Sequence, residues 1–365
     1  MKKLFFLSIT IGFLAVTAQA KIWRVNNNAG VVADATTLTI LFDGVNTPPT
    51  NPEAANGDTI HVEPSATLYA FPTINKQVVI IGNGYLLNGT GSNAGLQENT
   101  LTSRVNGFRF SNGSAGTKIM GITAESSSDF ASGYSGNVNI TFEKCRFVNI
   151  GTLLSFAANV TYSGISFRKC FMGGINNSVP SNTTINNLTI ENCIVEGNVF
   201  WFKPTNATNF IIRNNTFRLT SSQAIDINNA YVANNLFLTS VNSTGTNVFT
   251  SCNVKNNIFT ANETAVTQGP LSVNGNNLIN QTLASIVVNT GSDDGKYQLA
   301  PGSPAINGGV DIAGTKPDCG AFGGTDPYKL SGIPGIPTIY SLTVPASVPL
   351  GTPTMNVTIS TRNNN

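Results

Sequence analysis

Asn187-Leu188-Thr189-Ile190-Glu191-Asn192-Cys193-Ile194-Val195 is followed by Phe210-Ile211-Ile212-Arg213-Asn214-Asn215-Thr216-Phe217, Tyr231-Val232-Ala233-Asn234-Asn235-Leu236-Phe237 and Asn253-Val254-Lys255-Asn256-Asn257-Ile258-Phe259. Each copy places β-branched or aromatic residues on both sides of a polar pair. The pattern reaches back to Val138–Phe147 and Gly164–Met172 and forward to Val273–Ile279. Anchored on Cys145, Cys170, Cys193, Asn215, Asn235, Asn257 and Asn277, the spacings are 25, 23, 22, 20, 22 and 20. A helical repeat needs an apolar face at i, i+3, i+4 and i+7; here the apolar positions lie three before and two after the anchor. Each copy therefore reads as strand, tight turn, strand. A period near 22 with no helix in the unit predicts a parallel β-solenoid.

The columns of the repeat carry physical meaning. Equivalent residues of successive coils lie ~4.8 Å apart. An inward Asn at the anchor can then hydrogen-bond to the Asn above and below, as a ladder. Cys145, Cys170 and Cys193 share that column as small buried hydrophobes. Three before the anchor, Phe142, Phe167, Ile190, Ile212, Val232 and Val254 predict a continuous apolar stack inside the coil. The odd cysteine count, with Cys252 and Cys319, favours reduced thiols over a Cys145–Cys170 or Cys170–Cys193 bridge.

Composition fits this reading. Only 10% of the 365 residues are charged, against ~25% in ordinary domains. The 35 Gly and 48 Asn are turn formers that tolerate left-handed backbone. Lys2 and Lys3, the apolar run Leu4–Val16 and Ala18-Gln19-Ala20 read as an export signal over residues 1–20. Its removal leaves 18 basic and 18 acidic side chains, a net charge of zero. That balance argues against a nucleic-acid partner and against membrane binding through basic patches. The expectation is an exported protein, periplasmic, cell-surface or secreted, with no membrane insertion after signal removal.

Three stretches resemble a known group. Gly57–Val62 with Ile74–Gly84 is similar to a first coil, the Asn/Cys ladder over 138–279 to central coils, and Tyr297–Gly309 with Asp318–Phe322 to a closing segment. Together they resemble the right-handed parallel β-helix proteins of the pectate-lyase-like superfamily. The closing segment and tail are also similar to exported proteins of Bacteroidetes-like bacteria. The resemblance implies an all-β, single-stranded right-handed parallel β-helix. The expected organisation is an N-terminal cap over 21–56, the helix over 57–324, a Pro/Gly linker over 325–337 and a β-strand tail over 338–365.

That superfamily hosts lyases, hydrolases, adhesins and inert scaffolds, so the chemistry must come from sites. A polysaccharide lyase would need a Ca²⁺ or cationic charge neutraliser and an Arg or Lys base on one outer face. The column two before the anchor, opposite in parity to the core, reads Glu143, Arg168, Glu191, Arg213, Ala233, Lys255. Arg168, Lys169, Arg213 and Lys255 are its candidate catalytic cations, with Glu143 and Glu191 as sugar-binding candidates. The competing reading is a salt-bridge ladder, since alternating signs on consecutive rungs favour pairing. Asp293-Asp294 is the only adjacent acidic pair and a weak candidate Ca²⁺ contact. It also reads as a turn, and two carboxylates fall short of the 6–8 oxygens Ca²⁺ takes. No other cofactor is implied. His61, the single histidine, has no recognisable catalytic partner.

Phe200-Trp201-Phe202-Lys203 is the densest aromatic cluster. Alternation puts Trp201 opposite Phe200 and Phe202, able to stack on a sugar beside Lys203; burial between coils is the other reading. The function expected is that of an exported β-helix scaffold, or of a protein binding carbohydrate or another partner, without catalytic activity. The alternative is a lyase or glycoside hydrolase acting on an acidic polysaccharide through the outer face.

Overall fold

The computed structural model describes residues 20–44, 53–87, 93–148, 151–221, 224–238, 247–260, 266–268, 273–310, 314–348, 350–351 and 354–364. All but Ala20 of the expected export signal falls outside them. The chain is a right-handed parallel β-solenoid. Sheet A has twelve strands, eleven of them in one file from Ile22–Val25 to Val273–Gly275; sheet B has eight. The third side is divided between four-stranded sheet C and five-stranded sheet D. One coil shows the order: Thr184–Glu191 in A, Ile194–Gly197 in B, Phe200–Phe202 in D, then Phe210–Arg213 in A again.

The expected apolar stack forms. Phe142, Phe167, Ile190, Ile212, Val232 and Val254 are register partners on consecutive rungs of sheet A and all are buried. Phe142 and Phe167 stack with ring centroids 5.1 Å apart. The ladder forms beside it: Asn215, Asn235 and Asn257 each donate through Nδ2 to the next Asn Oδ1 at 2.9–3.0 Å. Each Oδ1 also accepts the backbone N–H of the Asn below at 2.9 Å. Cys145, Cys170, Cys193, Cys252 and Cys319 are buried and none is in a disulfide. Burial raises the Cys252 thiol to about 11 and the Cys319 thiol to about 12.

Two left-handed columns make the coil compact. Lys144, Lys169, Asn192, Asn214, Asn234, Asn256 and Asn276 have φ between +52° and +58° at the corner from sheet A to sheet B. Asn139, Gly164 and Asn187, at a bend inside their sheet A strands, and Asn209, Asn229 and Ser251, just before the next sheet A strand, repeat the left-handed conformation. Gly164 is needed there for space as well, since a Cβ would sit 2.1 Å from Asn139 Oδ1.

The chain ends depart from the expected boundaries. Ile22–Val25, expected in the cap, pairs with Thr59–Val62 as the first rung of sheet A. Leu38, Leu41 and Phe42 are buried at that end. The Ile258–Leu278 bridge and the Gln281 N to Phe259 O bond at 3.1 Å close the last described coil, and from there the chain turns back outside the solenoid as a strap. Ile286, Tyr297, Ala305, Cys319, Ala321 and Tyr328 pack on Phe171, Ile194, Leu236 and Ile258 of sheet B.

The corner residues grip this strap in reverse order. Asn256 Nδ2 donates to Gly308 O, Asn214 Nδ2 to Asp318 O, Asn192 Nδ2 to Ala321 and Gly323 O, and Lys144 Nζ to Ile333 O, at 2.7–3.1 Å. The 325–337 segment is therefore packed structure, not a free linker: Tyr328, Ser331 and Ile333 are buried. The tail forms the expected two strands, Thr338–Thr343 antiparallel to Thr358–Arg362. Ile339 O accepts from Glu98 N at 3.0 Å, tying this hairpin to the body.

Two outcomes check this fold. Asn235→Ala removes an acceptor and a donor from a buried ladder: the Asn215 N–H loses its acceptor and Ile212 O loses its amide donor, while Asn257 Oδ1 keeps the Asn235 N–H. At ~1–3 kcal/mol for each buried group that loses its partner, a loss of about 3 kcal/mol is expected in urea denaturation. A thiol reagent should label none of the five cysteines in the native protein and all of them in denaturant.

Candidate functional site

The outer face of sheet A carries the charge column. Glu143, Arg168, Glu191, Arg213, Ala233 and Lys255 occupy one file of register partners. Arg213 Nε meets Glu191 Oε1 at 2.7 Å, and Arg168 meets the same carboxylate at 3.9 Å. Lys118 Nζ reaches Glu143 at 2.5 Å from the neighbouring file. Lys169 does not join this face. It sits at the left-handed corner with a side chain only 7% exposed, paired to Asp326 of the strap at 2.5 Å and to Glu143 at 3.5 Å. Lys255 lies two rungs from Arg213, beyond buried Ala233. The four candidate cations are therefore not gathered around one point.

Electrostatics follow the pairing. Burial alone would raise the Glu143 carboxyl, but the Lys118 hydrogen bond and the charges of Lys118, Lys169 and Lys144 hold it below its ordinary value. Asp326 behaves likewise, with Lys169 and Arg168 outweighing burial. Carboxylates held ionised by partnered cations are poor general acids, because an acid must carry its proton near the working pH.

The acidic pair divides. Asp293 is exposed, whereas Asp294 is fully buried and accepts from Asn93 Nδ2 at 2.7 Å, Ser331 N at 2.7 Å and the Tyr328 hydroxyl at 3.1 Å. Asp294 thus latches the strap to the 93 loop, and the two carboxylates do not form one cation site. Among the described residues no group of three or more His, Cys, Asp and Glu side chains is arranged to hold a metal. None of the described helices is long and apolar enough to cross a membrane.

A different arrangement stands on sheet D. Phe200 and Phe202 are buried and Trp201 faces outward, half-exposed, as alternation requires. Its register partners are exposed Asn176 on one side and Asp226 on the other. Lys203 Nζ lies 5.4 Å from the Trp201 ring centroid and 2.8 Å from Asp226 Oδ2. Beside this strip, Gly151, Gly174, Asn176, Glu196, Asn198 and Val199 line a cavity of about 370 Å³. Gly174 and Gly197 pack backbone to backbone there; a Cβ on Gly197 would meet Gly174 N at 2.2 Å. Sequence alternation locates Trp201 and Lys203, but Asn176 and Asp226 emerge only from the stacking of coils 25 residues before and after Trp201.

No protein-family model matches the chain, and a search of curated proteins finds no match. The site must therefore be judged on its own chemistry.

Glu143 and Asp326 link stability to acid. Their folded-state values lie below the unfolded ones, so their contribution is complete above the unfolded carboxylate range near ~4 and is lost as pH falls through the lowered folded values. The urea midpoint should hold from neutrality to about pH 5 and then fall. Asp326→Asn should make that acid-side slope shallower.

Proposed function

We propose that this is an exported β-helix protein that binds carbohydrate without turning it over, with Trp201 as the platform for a sugar ring. The observation that carries the reading is the outward, half-exposed Trp201 flanked by Asn176, Lys203 and Asp226. An indole face offers apolar area to the C–H face of a sugar. The amide and ionic groups on adjacent rungs supply directional hydrogen bonds at the ring's edge. The cavity lined by Glu196 and Asn198 lies beside Asn176 and extends the strip. The resemblance of the repeat to the pectate-lyase-like superfamily agrees with such a ligand, and the signal-like residues 1–20 agree with an extracytoplasmic site of action.

A non-catalytic role is favoured by the outer face of sheet A, where Glu143 and Glu191 are held by cations instead of facing an open groove. Screening the mature protein on a glycan array, then titrating positive glycans by calorimetry, tests the proposal. Trp201→Ala should weaken binding about tenfold with little change in melting temperature, since it removes the apolar area buried between indole and sugar, worth ~25 cal/mol per Å². Release of unsaturated uronide from an acidic polysaccharide, with or without Ca²⁺, would replace this reading with the lyase alternative. Glycan binding unaffected by Trp201→Ala would remove the strip from the account.

A further inference from the structure

The outer face of sheet B changes character along its length. Its outward column reads Arg104, Thr123, Arg146, Phe171, Ile194, Thr216, Leu236 and Ile258 on consecutive rungs. The strap roofs the apolar rungs, and Ala321 N donates to Thr216 Oγ1 beneath it. None of the described strap residues lines the three polar rungs. They instead form the floor of a cleft of about 410 Å³ walled by Ser65 and Thr102.

The charges in this cleft do not cancel. Arg104 Nε is paired with Glu125 Oε1 at 2.7 Å. Arg146 forms no ion pair among the described residues, and its guanidinium lies 5.9 Å from the Phe171 ring centroid. One positive charge is left over in a chain whose other outer-face cations are mostly paired. Thr123, between the two arginines, is 3% exposed, and its buried Oγ1 has no hydrogen-bond partner. Ala124 fills the inward position of that strand, so the Thr123 hydroxyl belongs to the cleft side. A buried hydroxyl without a partner costs ~1–3 kcal/mol, and a ligand oxygen would relieve it.

We propose that this cleft binds a compact oxyanion group, a carboxylate or a sulfate, with Arg146 as its cation and the Thr123 hydroxyl as its neutral donor. A guanidinium presents parallel N–H donors that match two oxygens of either group. The side chain of Arg104 stays with Glu125 and borders the site, and the Glu125 carboxylate limits it to one negative group. The half-buried Arg146 side chain, which no ion pair holds among the described residues, would have to swing to admit the oxyanion to Thr123.

This site lies on sheet B, apart from the Trp201 strip on sheet D, so the two stand or fall separately. Calorimetric titration of the mature protein at low salt with sodium sulfate and with sodium glucuronate, and glucose as the neutral control, tests it. Saturable binding of at least one anion and none of glucose is expected. Arg146→Gln should weaken that binding about tenfold or more, and Thr123→Val about threefold, while Trp201→Ala leaves it unchanged. Preference for glucuronate identifies the group as a carboxylate, and preference for sulfate as a sulfate ester or free sulfate. Absence of saturable binding by both anions overturns the proposal. So does binding that survives unchanged in Arg146→Gln and Thr123→Val, each of which should melt within a few degrees of the wild type.

Discussion

Every coil must turn the corner from sheet A into sheet B without leaving a buried peptide group unmet. The solution is a left-handed residue followed by an inward one whose side chain takes over the lost pairing. At Asn215, Asn235 and Asn257 the amide does this fully, accepting from the coil below and donating to the coil above. Buried amides without partners are rare because each costs as much as a lost hydrogen bond. The corner therefore fixes the rise of the coil, and the Phe, Ile and Val stacks can form only where it holds. At the cysteine rungs sulfur is a weaker substitute: Cys170 N meets Cys193 Sγ at 3.4 Å. At two of the three cysteine rungs the left-handed position is occupied by Lys144 and Lys169, which lack the local side-chain bonding that eases Asn into this region; at the third it is Asn192. The strap braces the two Lys corners from outside as it does the Asn corners, through Ile333 O and Asp326.

What was legible in the sequence follows from this geometry. A ladder between equivalent residues on adjacent coils imposes a period, so the anchor column and the apolar stack could be read directly. Trp201 was legible in part, because alternation gives its side of the strand but not its neighbours. The strap was not. Asn192 reaches Ala321 across 129 residues and Tyr85 meets Tyr328 across 243, contacts made once each and therefore without a period. The polar Asn column that appeared to be only turn chemistry is also the grip on that strap. Nothing local marks Asn214 as a donor to Asp318 O. The same limit hid the burial of Asp294, whose partners come from two distant segments, at Asn93 and at Tyr328–Ser331.

Regularity also bears on function. A column repeated every coil with alternating charge neutralises itself, because each ion sits between opposite ones on neighbouring rungs. Exposed pairs of this kind contribute at most ~1 kcal/mol each and leave no charge for a ligand. Binding chemistry is therefore to be sought where the repeat is broken: an indole in a polar outer file, or an arginine whose rung neighbours are a threonine and a phenylalanine.

The strap makes such breaks possible by dividing one face into two environments. Over Phe171, Ile194, Leu236 and Ile258 it excludes water and adds apolar contact, so those rungs must be apolar and are closed to ligands. Over Arg104, Thr123 and Arg146 the face stays open, and the same outward position is free to carry charge. Had the strap continued along the whole sheet, an arginine at position 146 would be buried without a carboxylate, at a cost of several kcal/mol. Its presence there is physically consistent only with an open cleft, where solvent or an anion can answer the charge. Sheet D, which carries Trp201, is not roofed by these apolar contacts, and the strap reaches its border only where Lys296 Nζ meets Glu196 Oε1 at 2.8 Å. The return of the chain along sheet B thus both stabilises the solenoid and decides which outer surfaces remain available for binding.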